Sequence, residues 1–204
     1  MNAKPKPGFY IPRGIASAAS ESGGRALFLD RDGVINVNRG YVHTAEQTEW
    51  VPGIFELCSA ARDAGYGLIV VTNQAGIARG YYSETQFHDY TIWMHQQFEA
   101  RSVPLLATFY CPHHPEAGQD SYHTDCDCRK PRPGMLLQAA AELRIDLTKS
   151  VMIGDSPSDM AAADAAGIPL AILRSNAGPQ LGRLASVFAA IGADDELMYG
   201  NFHE

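Results

Sequence analysis

Five short apolar runs, at 26–29, 68–72, 106–110, 151–154 and 170–173, alternate with stretches of helical periodicity along this chain. That alternation is the pattern of a parallel sheet wrapped by helices, because parallel strands need crossover connections and are buried on both faces. It predicts an α/β fold, a doubly wound parallel sheet. The helices are expected at 54–64, 83–101, 135–143, 159–166 and 181–191. Ser83 and Gln86 have the spacing of a capping box, and Gly65 and Gly167 each follow the end of a predicted helix. Residues 1–24 show no such periodicity and end in Ser, Glu and Gly, so a loose N-terminal extension is expected there. A single domain should occupy 25–204.

With 204 residues, 46% of them hydrophobic, the chain is long enough for one full core. Sixteen Lys and Arg stand against 23 Asp and Glu, and no basic run could track a phosphate backbone, so nucleic acid is not an expected partner. Lys4, Lys6 and Arg13 are followed by Pro, Gly, Ser and Ala rather than an apolar stretch, which predicts neither a secretory signal nor a membrane span. A cytoplasmic monomer acting on a small molecule is expected.

Three predicted strands end on polar residues: Asp30, Thr72 and Asp155. A doubly wound sheet brings the carboxyl ends of its central strands together, so these three become neighbours at the edge where such sheets bind ligands. Asp30 and Asp32 lie two residues apart and can address one point beyond the strand end, and Gly33 lets the chain turn away. Alone, the pair would read as a turn cap. A calcium loop fits poorly, since its glycine belongs at the sixth position and here stands fourth. Asp30 and Asp155 offer hard oxygen ligands suited to magnesium. Asp30 could attack phosphorus to form an aspartyl-phosphate, with Asp32 protonating the leaving oxygen and then deprotonating water. Thr72 and Asn73 offer a hydroxyl and an amide for phosphoryl oxygens, and Lys130 a cation between two prolines and a cysteine pair. Asp159, four residues after Asp155, reads either as a residue that supports the metal ligands from behind or as a helix-start residue.

In this order, Asp30-Arg31-Asp32-Gly33, Val71-Thr72-Asn73, Lys130 and Gly154-Asp155 resemble the four motifs of the haloacid dehalogenase superfamily. The resemblance implies that Asp30 is the nucleophile, Asp32 the acid/base, and Thr72 and Lys130 the phosphoryl clamp. It also implies magnesium held by Asp30, the main-chain carbonyl of Asp32, and Asp155. The connections leave no room for a large cap domain. Residues 36–43, 74–80 and the Cys/His loop should form the pocket walls, with Tyr41, His43, Tyr81 and Tyr82 lining them.

That loop holds Cys111, His113, His114, Cys126 and Cys128. Three thiols and an imidazole suit a tetrahedral structural zinc. His113 is preferred, because its spacing from Cys111 mirrors that of the cysteine pair, with His114 and His123 as alternatives. A disulfide is the competing reading, disfavoured without a secretory signal. Cys58 lies in an apolar helical pattern and reads as an inert core thiol.

With the zinc ligands, residues 38–43 and 72–80 resemble the heptose bisphosphate phosphatases more closely than the histidinol phosphatases. The resemblance implies magnesium-dependent hydrolysis of the C7 phosphate of D-glycero-D-manno-heptose 1,7-bisphosphate, in nucleotide-activated heptose biosynthesis of the kind that supplies lipopolysaccharide. The implied substrate contacts are Asp30 to Asp32, Asn38, Arg39, Gly40, Tyr41, Thr72, Asn73, Gln74, Ala75, and Arg129 with Lys130. One departure is Ser156, where many such enzymes carry a lysine. The other readings are a phosphatase for histidinol phosphate or another small phosphomonoester, and a non-catalytic zinc-stabilised interaction domain.

Overall fold

The computed structural model describes residues 7–13, 24–174 and 181–191. Six strands form one sheet: β1 (Gly8–Tyr10), β2 (Arg25–Leu29), β3 (Tyr66–Asn73), β4 (Ala107–Cys111), β5 (Val151–Gly154) and β6 (Leu170–Leu173), in the order β1-β4-β3-β2-β5-β6. All pairings are parallel except β1 with β4. The chain leaves β2 toward β3 on one side and later returns to β5 on the other. The central strand end is therefore a topological switch point, where open α/β sheets form their crevice.

Period-two alternation assigns the strand side chains to two cores. Leu27, Leu29, Leu68, Val70, Val151 and Ile153 face helices α1 (Ile54–Asp63), α3 (Glu84–Glu99) and α6 (Leu181–Ile191). Ala26, Phe28, Ile69, Val71 and Met152 face α4 (Gly134–Leu143) and α5 (Pro157–Ala166). Cys58 is fully buried in the first core, and burial pushes its thiol up, as befits an inert side chain. The reciprocal capping box at Ser83 and Gln86 opens α3. A second one, between Ser156 and Asp159, opens α5, with Pro157 in its first turn and Gly167 at φ 78° after its end.

The structure departs from expectation at the N-terminus. Gly8–Tyr10 is not a loose extension but an antiparallel edge strand, with Phe9 opposite Phe109 and stacked on it at 5.7 Å between ring centroids. Three residues are too few to show an alternating pattern, and their partner lies a hundred residues away. A short helix α2 (Ala75–Ala78) follows β3 where only a loop was expected. Among the described residues there is no cap domain. The irregular segment after Asp32 instead folds back on itself, with Gly33 donating to the Asn36 carbonyl at 2.7 Å.

Candidate active site

Beyond the carboxyl ends of β2, β3 and β5 opens a cavity of about 360 Å³. Asp30, Asp32, Thr72, Lys130 and Asp155 all line it, together with Asn38, Gly40, Tyr41, Asn73, Gln74 and Ala75. The register explains the gathering: Leu29 pairs with Val70 on one side and Ile153 on the other, so the residues that follow emerge side by side.

Lys130 is the electrostatic centre. Its buried ammonium donates to Asp30 Oδ1 at 2.9 Å and to the Val71 carbonyl at 2.9 Å, and pairs with Asp159 Oδ1 at 2.5 Å. Burial alone would favour neutral lysine, but Asp30 and Asp159 reverse that and hold the amine charged. Asp30 feels the converse. Burial raises its carboxyl, Lys130 pulls it down and Asp159 pushes it up again, leaving it raised to about 7. Burial and Asp159 also raise Asp155. The site therefore holds more carboxylate than one ammonium compensates.

A divalent cation at this point would offset that excess. Oxygens of Asp30, Asp155 and Asp159 lie within 4.8 Å of one another. Asp159 is already committed, with Oδ1 on Lys130 and Oδ2 accepting from the Ser156 amide at 3.0 Å. Asp30, engaged by Lys130 through Oδ1 only, and Asp155 are thus the carboxylates left to face a metal, a donor set that suits magnesium. Gly33 is needed for this approach: φ is 89°, and a Cβ there would stand 1.9 Å from Asp155 Oδ2.

Asp32 is held by three N–H donors: Arg31 Nη2 at 2.7 Å and Gln74 Nε2 at 3.4 Å on Oδ2, and Asn36 Nδ2 at 3.0 Å on Oδ1. Gln74 also donates to Thr72 Oγ1 at 2.7 Å, while its carbonyl accepts from Tyr82 at 2.6 Å. With that lone pair occupied, the Thr72 hydroxyl can turn its own proton to a phosphoryl oxygen.

Several expected contacts are arranged differently. The Asn73 amide is engaged by the Lys130 main chain through one N–H and its oxygen, at 3.1 and 3.0 Å, so it fixes the lysine loop and keeps its second N–H at the cavity wall. None of Arg31, Arg39 and Arg129 lines the cavity, and Arg31 is fully buried with its Nη2 on Asp32. Arg39 sits on the exposed loop and pairs with Glu49, and Arg129 donates to the His113 carbonyl at 3.2 Å. Tyr41 and Tyr82 line the cavity, but His43 and Tyr81 pack behind them, His43 stacked on Tyr82 at 4.4 Å and Tyr81 edge-on to Tyr41 at 4.6 Å. Ser156 contributes a helix cap, and its neighbour Ser158 a hydroxyl at the wall. Nothing in the pattern singled out Ser158.

The Cys/His loop abuts the site through Lys130. Cys111, His113, Cys126 and Cys128 are buried and converge, with sulfur–sulfur separations of 3.1 to 3.5 Å and His113 Nδ1 at 3.3 Å from Cys128 Sγ. All four cysteines are free thiols rather than disulfides. His114 instead accepts from the amides of Glu116 and Ala117, and His123 is hydrogen-bonded to the Pro115 carbonyl. Three soft sulfurs and one imidazole form the donor set of a structural zinc site.

A HAD-hydrolase-like family model matches residues 127–181. The D-glycero-β-D-manno-heptose-1,7-bisphosphate 7-phosphatase of Vibrio cholerae is 51% identical over 148 residues, which cover 72% of this chain and 80% of that protein. Among solved structures, a candidate HAD-like phosphatase of Mesorhizobium loti is 30% identical with a TM-score of 0.81, covering 95% of this chain and 98% of that one. The D,D-heptose 1,7-bisphosphate phosphatase of B. bronchiseptica, complexed with magnesium and phosphate, is 27% identical with a TM-score of 0.65, covering 83% and 96%. A lysine-anchored aspartate pair at a parallel sheet edge, beside a three-cysteine, one-histidine loop, thus occurs in a chain that belongs to the D-glycero-β-D-manno-heptose-1,7-bisphosphate 7-phosphatase family of HAD-like hydrolases.

Proposed function

We propose that this protein hydrolyses the C7 phosphate of D-glycero-β-D-manno-heptose 1,7-bisphosphate, a step of nucleotide-activated heptose biosynthesis. The observation that carries the reading is the buried Lys130–Asp30 pair at the cavity wall, with Asp155 close enough to share a cation with Asp30. The β anomer is proposed because the Vibrio cholerae relative is named for it.

In the first step an Asp30 oxygen bonds to phosphorus as the bond from phosphorus to the sugar oxygen breaks, and Asp32 delivers its proton to that oxygen. In the second, Asp32 takes a proton from water, whose oxygen bonds to phosphorus and releases Asp30 and inorganic phosphate. Thr72 and Lys130 stabilise the phosphoryl oxygens throughout. Magnesium, held by Asp30, Asp155 and the main-chain carbonyl of Asp32, supplies compensation for the substrate's negative charge when bound. Asn38, Gly40, Tyr41, Gln74 and Ala75 border the sugar. Arg129 stands next to Lys130 in sequence and would need to leave the His113 carbonyl to reach the distal phosphate. Zinc, held by Cys111, His113, Cys126 and Cys128, stabilises the loop that carries Lys130. A cytoplasmic location goes with this reading, since the loop needs reduced thiols. The protein acts as a monomer.

Phosphate release should be measured from both anomers of the heptose bisphosphate and from histidinol phosphate, with and without magnesium. The β bisphosphate should be the preferred substrate and turnover should require the metal. Preference for histidinol phosphate would overturn the reading.

A further inference from the structure

Arg31 lies between the two aspartates, yet it is the largest fully buried side chain described. Its Nη2 donates to Asp32 Oδ2 at 2.7 Å and to the Val42 carbonyl at 2.6 Å. Its Nε and Nη1 make no well-formed hydrogen bond, although the Tyr82 hydroxyl lies close enough to interact with the guanidinium. The guanidinium lies instead near the faces of Phe87 and Tyr90, 5.5 and 5.3 Å from their ring centroids. Cation–π attraction compensates part of the lost hydration.

This is a poor arrangement for stability alone. An incompletely paired buried charge costs several kcal/mol of desolvation, and an apolar side chain of similar volume often serves as well. What such a side chain could not do is hold a carboxylate. Asp32 is less buried than its partner, with 20% of its side chain exposed against 1% for Arg31. Its Oδ2 has one other donor, Gln74, at the long distance of 3.4 Å. Arg31 is therefore the shorter and more rigid anchor of that oxygen.

We propose that Arg31 is a positioning residue for proton transfer to the leaving oxygen. It is fixed from behind by Val42, Phe87 and Tyr90, and from the front it sets the direction in which Asp32 presents its carboxyl group to the cavity. This rests on the reading of Asp32 as acid/base given above.

The test compares two substrates that differ in their need for that proton. The sugar alkoxide of the heptose bisphosphate must be protonated as it leaves, whereas the phenolate of p-nitrophenyl phosphate departs without help. The quantity to measure is kcat/KM, which reports the step in which the leaving oxygen departs. In Arg31→Met it should fall about 30-fold or more for the heptose bisphosphate, within the range of general-acid effects, and less than about fivefold for the aryl phosphate. Arg31→Lys keeps the buried charge but lacks the fork, and should show the same selectivity; it carries the comparison if Arg31→Met does not fold. Asp32→Asn is the reference. If Asp32→Asn is selective and the Arg31 variants lose both activities equally, Arg31 is merely structural and the proposal fails. If Asp32→Asn itself is unselective, the acid/base reading of Asp32 fails, and the proposal with it.

Discussion

Lys130 Nζ and Asp30 Oδ1 meet at 2.9 Å across one hundred residues of chain, with both side chains largely withdrawn from water. The pair joins the loop stiffened by the Cys/His cluster to the end of the central strand, so the clamp and the proposed nucleophile are placed by one contact.

Removing the ammonium should therefore harm both catalysis and folding. In Lys130→Met, phosphate release should fall by about 10²-fold or more, the scale of a lost electrostatic stabiliser. Asp30 and Asp159 would be left without their cation, so urea unfolding should show a loss of about 3 kcal/mol, typical of a broken buried pair. Unchanged stability would mean that the pair is solvated in the folded protein.

Zinc should be found in the purified chain at about one ion each, as expected of a four-ligand site. Cys126→Ser should lower that stoichiometry and make the segment from Cys111 to Lys130 more susceptible to proteolysis, while the strands of the sheet stay protected from hydrogen exchange. An unchanged zinc content would refute the assignment of Cys126 as a ligand.

Stability should also depend on pH through His95. Its ring is buried between Thr108, 2.9 Å from Nε2, and Tyr10 of the edge strand, 4.8 Å away between centroids. Burial lowers its pKa from the ordinary 6.5 to about 4. Above pH 6.5 the ring is neutral in both states and the native contribution is complete. As pH falls toward 4, the unfolded chain binds the proton first and stability drops, by at most about 3 kcal/mol. The difference in urea midpoint between pH 7.5 and 4.5 should be smaller in His95→Gln than in the native protein. An equal difference would show that other groups carry the dependence.

How much of this was legible beforehand follows from what each residue needs. Asp30, Thr72 and Asp155 could be placed because buried parallel strands read as apolar runs, and the polar residue closing each run lands at the sheet edge. His113 could be chosen because its spacing from Cys111 repeats that of Cys126 and Cys128. Asp159 could be read as a helix-start residue or a support behind the metal ligands, but its pairing with Lys130 is a tertiary contact invisible to local pattern. The same is true of Gly8–Tyr10, whose strand exists only through β4. Arg39 and Arg129 were placed toward substrate by resemblance, yet local partners, Glu49 and the His113 carbonyl, hold them elsewhere. Arg31 was placed among the substrate contacts with its two neighbours, yet it is fully buried against Phe87 and Tyr90 and holds Asp32 instead, a packing that local pattern does not show for a residue type ordinarily exposed.

The central claim is that Asp30 carries out the transfer of the C7 phosphate. Phosphorus-31 NMR of D-glycero-β-D-manno-heptose 1,7-bisphosphate with the native protein and magnesium should show the C7 signal replaced by inorganic phosphate while the C1 signal persists. Asp30→Asn, folded and with its zinc retained, should leave both signals unchanged. Turnover by that variant, or loss of the C1 phosphate first, would contradict the account.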